Sequence, residues 1–205
     1  MAQAAVVGRP GAGKTLFVLR FAQWCGCRRL VVTVSTRPGA PGLRRELSPA
    51  EAVAQLVGLS PPTTRRLQSL ELVHRSGKHL LAVELVDTVG LTDDVHPEPD
   101  LRRGMADSLA VALASRALLH LLDGPRVAQQ PGELLHPDGI DAQLARLGET
   151  RARYAALVNK LDLPGGARGL EEVRRLWPRR TVIGISALHG WGFERVRRFL
   201  LRSLP

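Results

Sequence analysis

Gly8-Arg9-Pro10-Gly11-Ala12-Gly13-Lys14-Thr15 constrains this chain more than any other stretch, because it fits the pattern G-x-x-x-x-G-K-S/T. The pattern needs a particular setting, and its flanks supply one. Residues 3–7 form a short apolar run that reads as a strand. Residues 15–25 read as a helix, with Leu16, Phe17, Leu19 and Phe21 near one face. Glycines between a strand and a helix let backbone N–H groups turn inward around phosphate oxygens, and the helix N-terminus adds the positive end of its dipole. In that arrangement Lys14 reaches the outer phosphates of a nucleotide, and Thr15 offers a hydroxyl to Mg2+. Gly8, Arg9, Pro10, Gly11, Ala12, Gly13, Lys14 and Thr15 are therefore the candidate phosphate-binding residues. An ordinary glycine-rich turn is the bland alternative.

Composition sharpens this reading. Lys and Arg together number 29, yet only Lys14, Lys78 and Lys160 are lysines, and Asn159 is the only asparagine. A chain that uses arginine almost everywhere keeps lysine where geometry forbids the exchange. The net charge of +10 allows RNA or an anionic surface as partner, although an arginine-rich, GC-biased composition produces such a charge unaided. The 205 residues suffice for one domain with its own core. No apolar run reaches the ~18 residues of a membrane span, and residues 1–8 lack the basic and apolar regions of a secretory leader, so the cytoplasm is the expected compartment. Cys25 and Cys27 are too close in sequence to bridge easily and read as ordinary thiols. No feature sets an oligomeric state.

Two further segments carry chemistry. Val86-Asp87-Thr88-Val89-Gly90 ends a strand-like run; a carboxylate there can hold Mg2+ through water, and the N–H of Gly90 can meet a terminal phosphate. Asn159-Lys160-Leu161-Asp162 follows the apolar run 155–158. Asp162 can accept hydrogen bonds from N1–H and the exocyclic amine of guanine, a donor pair that adenine lacks. The stem of Lys160 can lie along the base, and Asn159 can tie this loop to residues 8–15. Ser186-Ala187-Leu188, after a strand-like run at 181–185, can offer a backbone N–H to the guanine carbonyl. The tripeptide is common, and its position gives it weight.

The remaining segments set the fold class. Strands are expected at 30–34, 67–74, 79–87, 118–123, 155–158 and 181–185, and helices at 100–117, 140–154, 169–177 and 193–204. Ser48-Pro49-Ala50-Glu51 is a helix start, opening a helix that runs to about Gly58. Ser76-Gly77 joins two strands as a hairpin. Residues 36–42 and 124–139, rich in Pro and Gly, read as loops. The alternation predicts an α/β fold with a mostly parallel central sheet, one antiparallel strand, and helices on both faces. Trp24, Trp177 and Trp191 read as packing residues.

Taken in this order, the segments resemble the translation-factor class of P-loop GTPases, and within it the Era/Obg-like branch. Gly8-Arg9-Pro10, Pro62-Thr63-Thr64-Arg65 and Ile185-Ser186-Ala187-Leu188 with Gly190 and Gly192 carry the likeness. It covers essentially the whole chain as a single G domain. The resemblance implies GTP and GDP as ligands, Mg2+ as cofactor held by Thr15, Asp87 and a switch threonine, and slow GTP hydrolysis. The switch threonine is placed at Thr64, with Thr63, Thr36 and Thr33 as competitors, and Lys14 and Thr64 are the candidate catalytic residues. Three departures matter. Fifty residues separate Lys14 from Thr64, about twice what the resemblance implies, so 36–60 reads as an insertion. Gly11 stands where potassium-dependent relatives place an asparagine. Leu91 follows Gly90 where Ras-like enzymes place a water-orienting glutamine. A non-hydrolysing GTP-binding module is the alternative reading. Arg174, Arg175, Arg179, Arg180, Arg195, Arg197, Arg198 and Arg202 are either a solvated rim or a patch facing RNA or the ribosome.

Overall fold

Strand β1 (Ala2–Val7) cannot face water on either side: Ala4, Ala5, Val6 and Val7 are all fully buried. A strand apolar on both faces belongs at the centre of a sheet covered twice, and that is where it lies. The computed structural model describes residues 1–35, 38, 42–57, 67–76, 79–94, 96–150 and 153–204. The other strands are β2 (Leu30–Ser35), β3 (Leu43–Leu47), β4 (Leu67–Ser76), β5 (His79–Asp87), β6 (Ala117–Asp123), β7 (Tyr154–Asn159) and β8 (Thr181–Gly184). Among the described residues they form one sheet in the order β3-β2-β4-β5-β1-β6-β7-β8. Strands β5, β1, β6, β7 and β8 pair in parallel, while β4 is antiparallel to both β5 and β2. The mostly parallel sheet expected from the alternation is present; β4 is the antiparallel strand that the hairpin signal implied, and β3, antiparallel to β2, is a second one.

Helices cover both faces. Helices α1 (Lys14–Trp24), α2 (Pro49–Leu56) and α7 (Phe193–Ser203) close one side. There Phe17, Phe21, Ala52, Phe193, Val196 and Leu200 pack on Ala4, Val6, Leu119 and Leu157. Helices α3 (Pro99–Ala114), α4 (Gly124–Gln129), α5 (Ile140–Glu149) and α6 (Gly166–Leu176) close the other, with Val111, Val127, Leu144 and Val173 against Ala5, Val7, Leu118 and Val158. Adjacent residues of β1 feed opposite cores, which is the period of two that a strand imposes.

Four expectations need correction. Residues 124–139 are not one loop: they hold α4 and a 3-10 turn at Pro131–Leu135. Asp123 accepts from the Arg126 N–H as the cap of α4, and Pro125 stands in its first turn, so the Pro-Gly content marks helix starts instead of breaks. Strand β3 adds to the expected set, because Leu-Arg-Arg-Glu-Leu is a charged, exposed edge whose only signal is its pairing with β2. Helix α5 ends at Glu149, and Tyr154 belongs to β7; α3 likewise yields Ala117 to β6. All three tryptophans pack against other rings, but only Trp177 is buried: Trp24, 43% exposed, lies against Phe21 and Phe193, and Trp191, 51% exposed, against His189. The capping-box helix at Ser48 is present as α2, with Ser48 and Glu51 bonding each other's backbone N–H.

The carboxyl ends of β1, β5, β6 and β7 all open on one edge of the sheet. Residues 8–15, Asp87, Asp123 and Asn159 sit there, with Ser186 just beyond β8. In open α/β sheets this edge is where ligands bind.

Candidate functional site

Residues 8–15 leave β1 in a turn that only glycine allows. Gly8, Gly11 and Gly13 have φ of 143°, 75° and 93°, which other residues rarely adopt. A Cβ on Gly13 would lie 2.4 Å from Nδ2 of Asn159, so the loop and β7 touch through this glycine. Lys14 is 6% exposed, and its Nζ donates to the carbonyls of Gly8 and Arg9 at 3.0 and 2.9 Å. Burial pulls its pKa down to about 8, against the nearby charges of Asp87 and Asp141. The lysine thus folds back onto its own loop, with its charge on the carbonyls of Gly8 and Arg9.

Asp87 closes β5 directly beside this loop. Its Oδ2 accepts from the Thr15 hydroxyl at 2.6 Å. Its Oδ1 is buried with no hydrogen-bond partner among the described residues. Burial pushes the carboxyl up to about 6, against the Thr15 hydrogen bond and the Lys14 charge. A buried carboxylate oxygen without a partner costs about 1–3 kcal/mol or more. A hydroxyl and a carboxylate at this spot form a hard oxygen pair of the type Mg2+ takes, so the residues fit the metal. Thr88 donates to the Val6 carbonyl at 2.8 Å. Gly90 lies directly under Pro10, where a Cβ would come within 2.7 Å of the proline ring.

The loop after β7 is wired to residues 8–15 by one side chain. Asn159, 2% exposed, donates from Nδ2 to the Ala12 carbonyl at 2.8 Å and accepts at Oδ1 from the Ala187 N–H at 2.9 Å. The segments that follow β1, β7 and β8 therefore share one residue. Each such bond contributes about 1 kcal/mol net, and stranding either buried partner costs about 1–3 kcal/mol. The Ser186 N–H goes to the Trp191 carbonyl and the Ala187 N–H to Asn159, so Leu188 holds the one backbone N–H of the tripeptide without a partner among the described residues. Asp162 is half-buried, and its carboxylate makes no hydrogen bond or ion pair with the described residues.

Solved structures with this arrangement of sheet and loops are G domains. The G domain of the T. maritima FeoB iron transporter superposes with a TM-score of 0.58 at 15% identity, over 100% of this chain and 99% of that one. A single-residue mutant of Aquifex aeolicus Era bound to GDP.AlF4- gives 0.61 at 16% identity, over 99% of this chain and 56% of that one. Era in complex with MgGDPNP and nucleotides 1506–1542 of 16S ribosomal RNA gives 0.54 at 17% identity, over 100% and 57%. The fold is that of a GTPase G domain. No protein-family model and no curated protein sequence matches the chain.

Within this G domain, the structure brings residues 8–15, Asp87, Gly90, Asn159, Lys160, Asp162 and residues 186–188 to one edge. Thr64, Thr63 and Thr36 lie outside the described residues. Thr33 sits inside β2, paired with Arg44 of β3 and Ser69 of β4, so it occupies the sheet instead of a loop. Leu91 is fully buried, and its side chain joins the core under α3 and α5. The Lys160 Nζ bonds Asp123 at 2.6 Å, and Lys160 holds φ at 67°, the only positive φ outside glycine among the described residues. Asp123 has a single sequence signal, its place at the end of β6, and that signal alone does not mark it. Sequence is equally silent on the direction of the Arg9 side chain. It runs to Asp93 and Asp141.

Proposed function

We propose that this chain binds GTP and GDP with Mg2+ and slowly cleaves GTP to GDP and phosphate, acting as a cytoplasmic switch. The observation that carries the reading is Asn159, which joins the phosphate loop to the base-reading loops while Asp162 keeps its carboxylate unengaged at the same edge. Asp162 would accept from guanine N1–H and the exocyclic amine, and the Leu188 N–H would donate to the guanine carbonyl. Backbone amides of 8–15 and Lys14 would hold the phosphates. Thr15, Asp87 and a switch threonine, Thr64 in this proposal, would hold Mg2+, which neutralises charge on the transferring phosphoryl group. Gly90 would present its N–H to the terminal phosphate, and the segments around Thr64 and 87–104 would order on it and relax on its loss.

The second reading is a GTP-binding module without hydrolysis, and buried Leu91 is what favours it. Leucine cannot orient water, and its backbone N–H already donates to the Gly8 carbonyl at 3.1 Å. Partner-free turnover is therefore expected near the intrinsic Ras value, about 10⁻⁴ s⁻¹, with no acceleration by potassium over sodium, since Gly11 has no side chain to hold the ion. Single-turnover cleavage of GTP in the two salts tests this. Turnover near ~1 s⁻¹ without a partner, far above that scale, would mean that a catalytic group exists elsewhere in the chain; no cleavage at all would leave the module.

An RNA or ribosomal partner would meet the late arginines. Four of the eight, Arg175, Arg180, Arg197 and Arg198, are already bonded to Glu172, Glu149 and Glu194, and α6 and α7 cover opposite faces. The charge offered to a polyanion then rests on Arg174, Arg179, Arg195 and Arg202.

Residues 36–60 are proposed as an insertion outside the nucleotide pocket. Ser35 pairs directly with Leu67, so the end of β2 lies beside the start of β4, and excision would leave 61–66 to cover a short gap. Inside the segment, β3 extends the sheet and fully buried Ala52 seats α2 beside α1. Deletion is expected to lower Tm by several degrees and to leave GDP affinity within about threefold. Loss of GDP binding in the folded variant would place the segment in the core of the site.

A further inference from the structure

Arg9 belongs to the phosphate loop, yet its guanidinium serves another purpose. Nη1 and Nη2 donate to Oδ2 and Oδ1 of Asp93 at 2.7 and 2.9 Å, a parallel fork. Nε donates to Oδ2 of Asp141 at 2.6 Å. Asp93 also accepts the backbone N–H of Ile140, the first residue of α5, at 2.7 Å. Asp141 is held from behind by His120 Nε2 at 3.0 Å, and His120 Nδ1 faces the Tyr154 hydroxyl at 2.9 Å. Burial disfavours the Arg9 charge, but the hydrogen bonds to Asp93 and Asp141 outweigh it and raise its pKa. The Arg9 hydrogen bonds hold Asp93 below the usual carboxylate range. For Asp141, burial pushes upward and the bonds from His120 and Arg9 prevail. Only arginine can serve one carboxylate with two parallel bonds and a second through Nε.

Asp93 lies three residues past Gly90, and residues 89–91 are each docked. Val89 offers its carbonyl to Ser108 of α3 at 3.2 Å, Gly90 sits under Pro10, and Leu91 buries its side chain and donates its N–H to Gly8. The Arg9–Asp93 fork is the last of these anchors. We infer that Arg9 is a positioning residue: by pinning Asp93 between the phosphate loop and α5, it holds the Gly90 N–H where a terminal phosphate would meet it. This deepens the proposed function and rests on it. A donor held in place beforehand binds without an ordering cost, so the effect falls on ligands with a third phosphate.

The test uses the full chain. Asp93→Ala removes the fork, and with it the acceptor of the Ile140 N–H, at a side chain that is 43% exposed, and leaves Arg9 bonded to Asp141; an unchanged Tm shows that the fold is kept. Binding of GMPPNP is expected to weaken about tenfold and single-turnover cleavage to slow comparably, while GDP affinity stays within about twofold. Asp93→Glu, which keeps a carboxylate for the fork, is expected to restore part of the loss. The single variant Arg9→Lys breaks the fork while Asp93 still accepts from the Ile140 N–H, and it is expected to shift the GMPPNP-to-GDP ratio comparably, which separates the fork from the Ile140 contact. Amide exchange of Leu91 without nucleotide is expected to quicken about tenfold, with β1 and β6 unchanged. An unaltered ratio in Asp93→Ala or in Arg9→Lys, or unaltered Leu91 exchange, overturns the inference. If exchange quickens as expected but the parent binds no guanine nucleotide, the anchor stands and the proposed function falls.

Discussion

Replacing Lys14 by alanine is expected to weaken both GTP and GDP binding by roughly a thousandfold. The ammonium lies within residues 8–15, with Nζ on the Gly8 and Arg9 carbonyls, and is the charge this loop would offer a phosphate. Two charge-assisted contacts to phosphate at ~2 kcal/mol each give about 4 kcal/mol, which is about three orders of magnitude in affinity. The apoprotein should not suffer alike, because alanine also removes a buried charge, and burial already disfavours that charge enough to bring its pKa down to about 8. A large loss of affinity with little change in Tm is therefore the expected signature. Lys14→Arg should not rescue it: the guanidinium is too broad for a pocket whose walls are the carbonyls of its own loop. Titration of a fluorescent GDP into parent and variants decides the matter. If Lys14→Ala binds nucleotide like the parent, residues 8–15 are not the phosphate site.

The parts of this site that sequence shows are those in which one residue type at one spacing is chemically required. Lys14 and Asn159 stand out in a chain that spends arginine freely, and the structure sets them at the same edge, with Asn159 touching the loop that carries Lys14. The strands of the central sheet are legible for a related reason. Residues 4–7, 118–122 and 155–158 are buried on both faces and almost wholly apolar, and only a doubly covered parallel sheet accepts such runs.

What stayed hidden depends on contacts between distant residues. Arg9 meets Asp93 across 84 residues and Asp141 across 132, and nothing local to Gly8-Arg9-Pro10 indicates either. Lys160 likewise finds Asp123 through the pairing of β6 with β7, which places Asp123 opposite Asn159. Strand β3 has no apolar alternation and exists because β2 offers it an edge. Helix α4 was concealed by its own start signal, since proline and glycine mark a first turn as readily as a loop. Propensity loses to tertiary pairing in β3 and is ambiguous in α4.

Base selection gives the sharpest remaining expectation. In the native chain, GTP and GDP should exclude ATP by at least about 10²-fold, because a carboxylate covered by adenine finds no donors. Asp162→Asn should reverse the preference toward xanthine nucleotides. Xanthine carries a carbonyl where guanine carries the exocyclic amine, so an amide nitrogen at position 162 meets an acceptor instead of a second donor. Guanine affinity should fall about 10²-fold or more as the charge-assisted pair is lost, and XDP should bind the variant more tightly than GDP. The substitution is well suited to the question. Asp162 is half-buried and bonds to none of the described residues, so the fold should not notice the change, whereas Asn159 in the same loop holds Ala12 and Ala187 together. A gain of XDP binding cannot arise from misfolding, which only removes function. Competition of GDP, XDP and ADP against a labelled nucleotide in parent and variant gives the answer. Equal competition by ADP and GDP in the parent, or an unchanged guanine preference in Asp162→Asn, would remove Asp162 from the base site and with it the guanine reading of Asn159-Lys160-Leu161-Asp162.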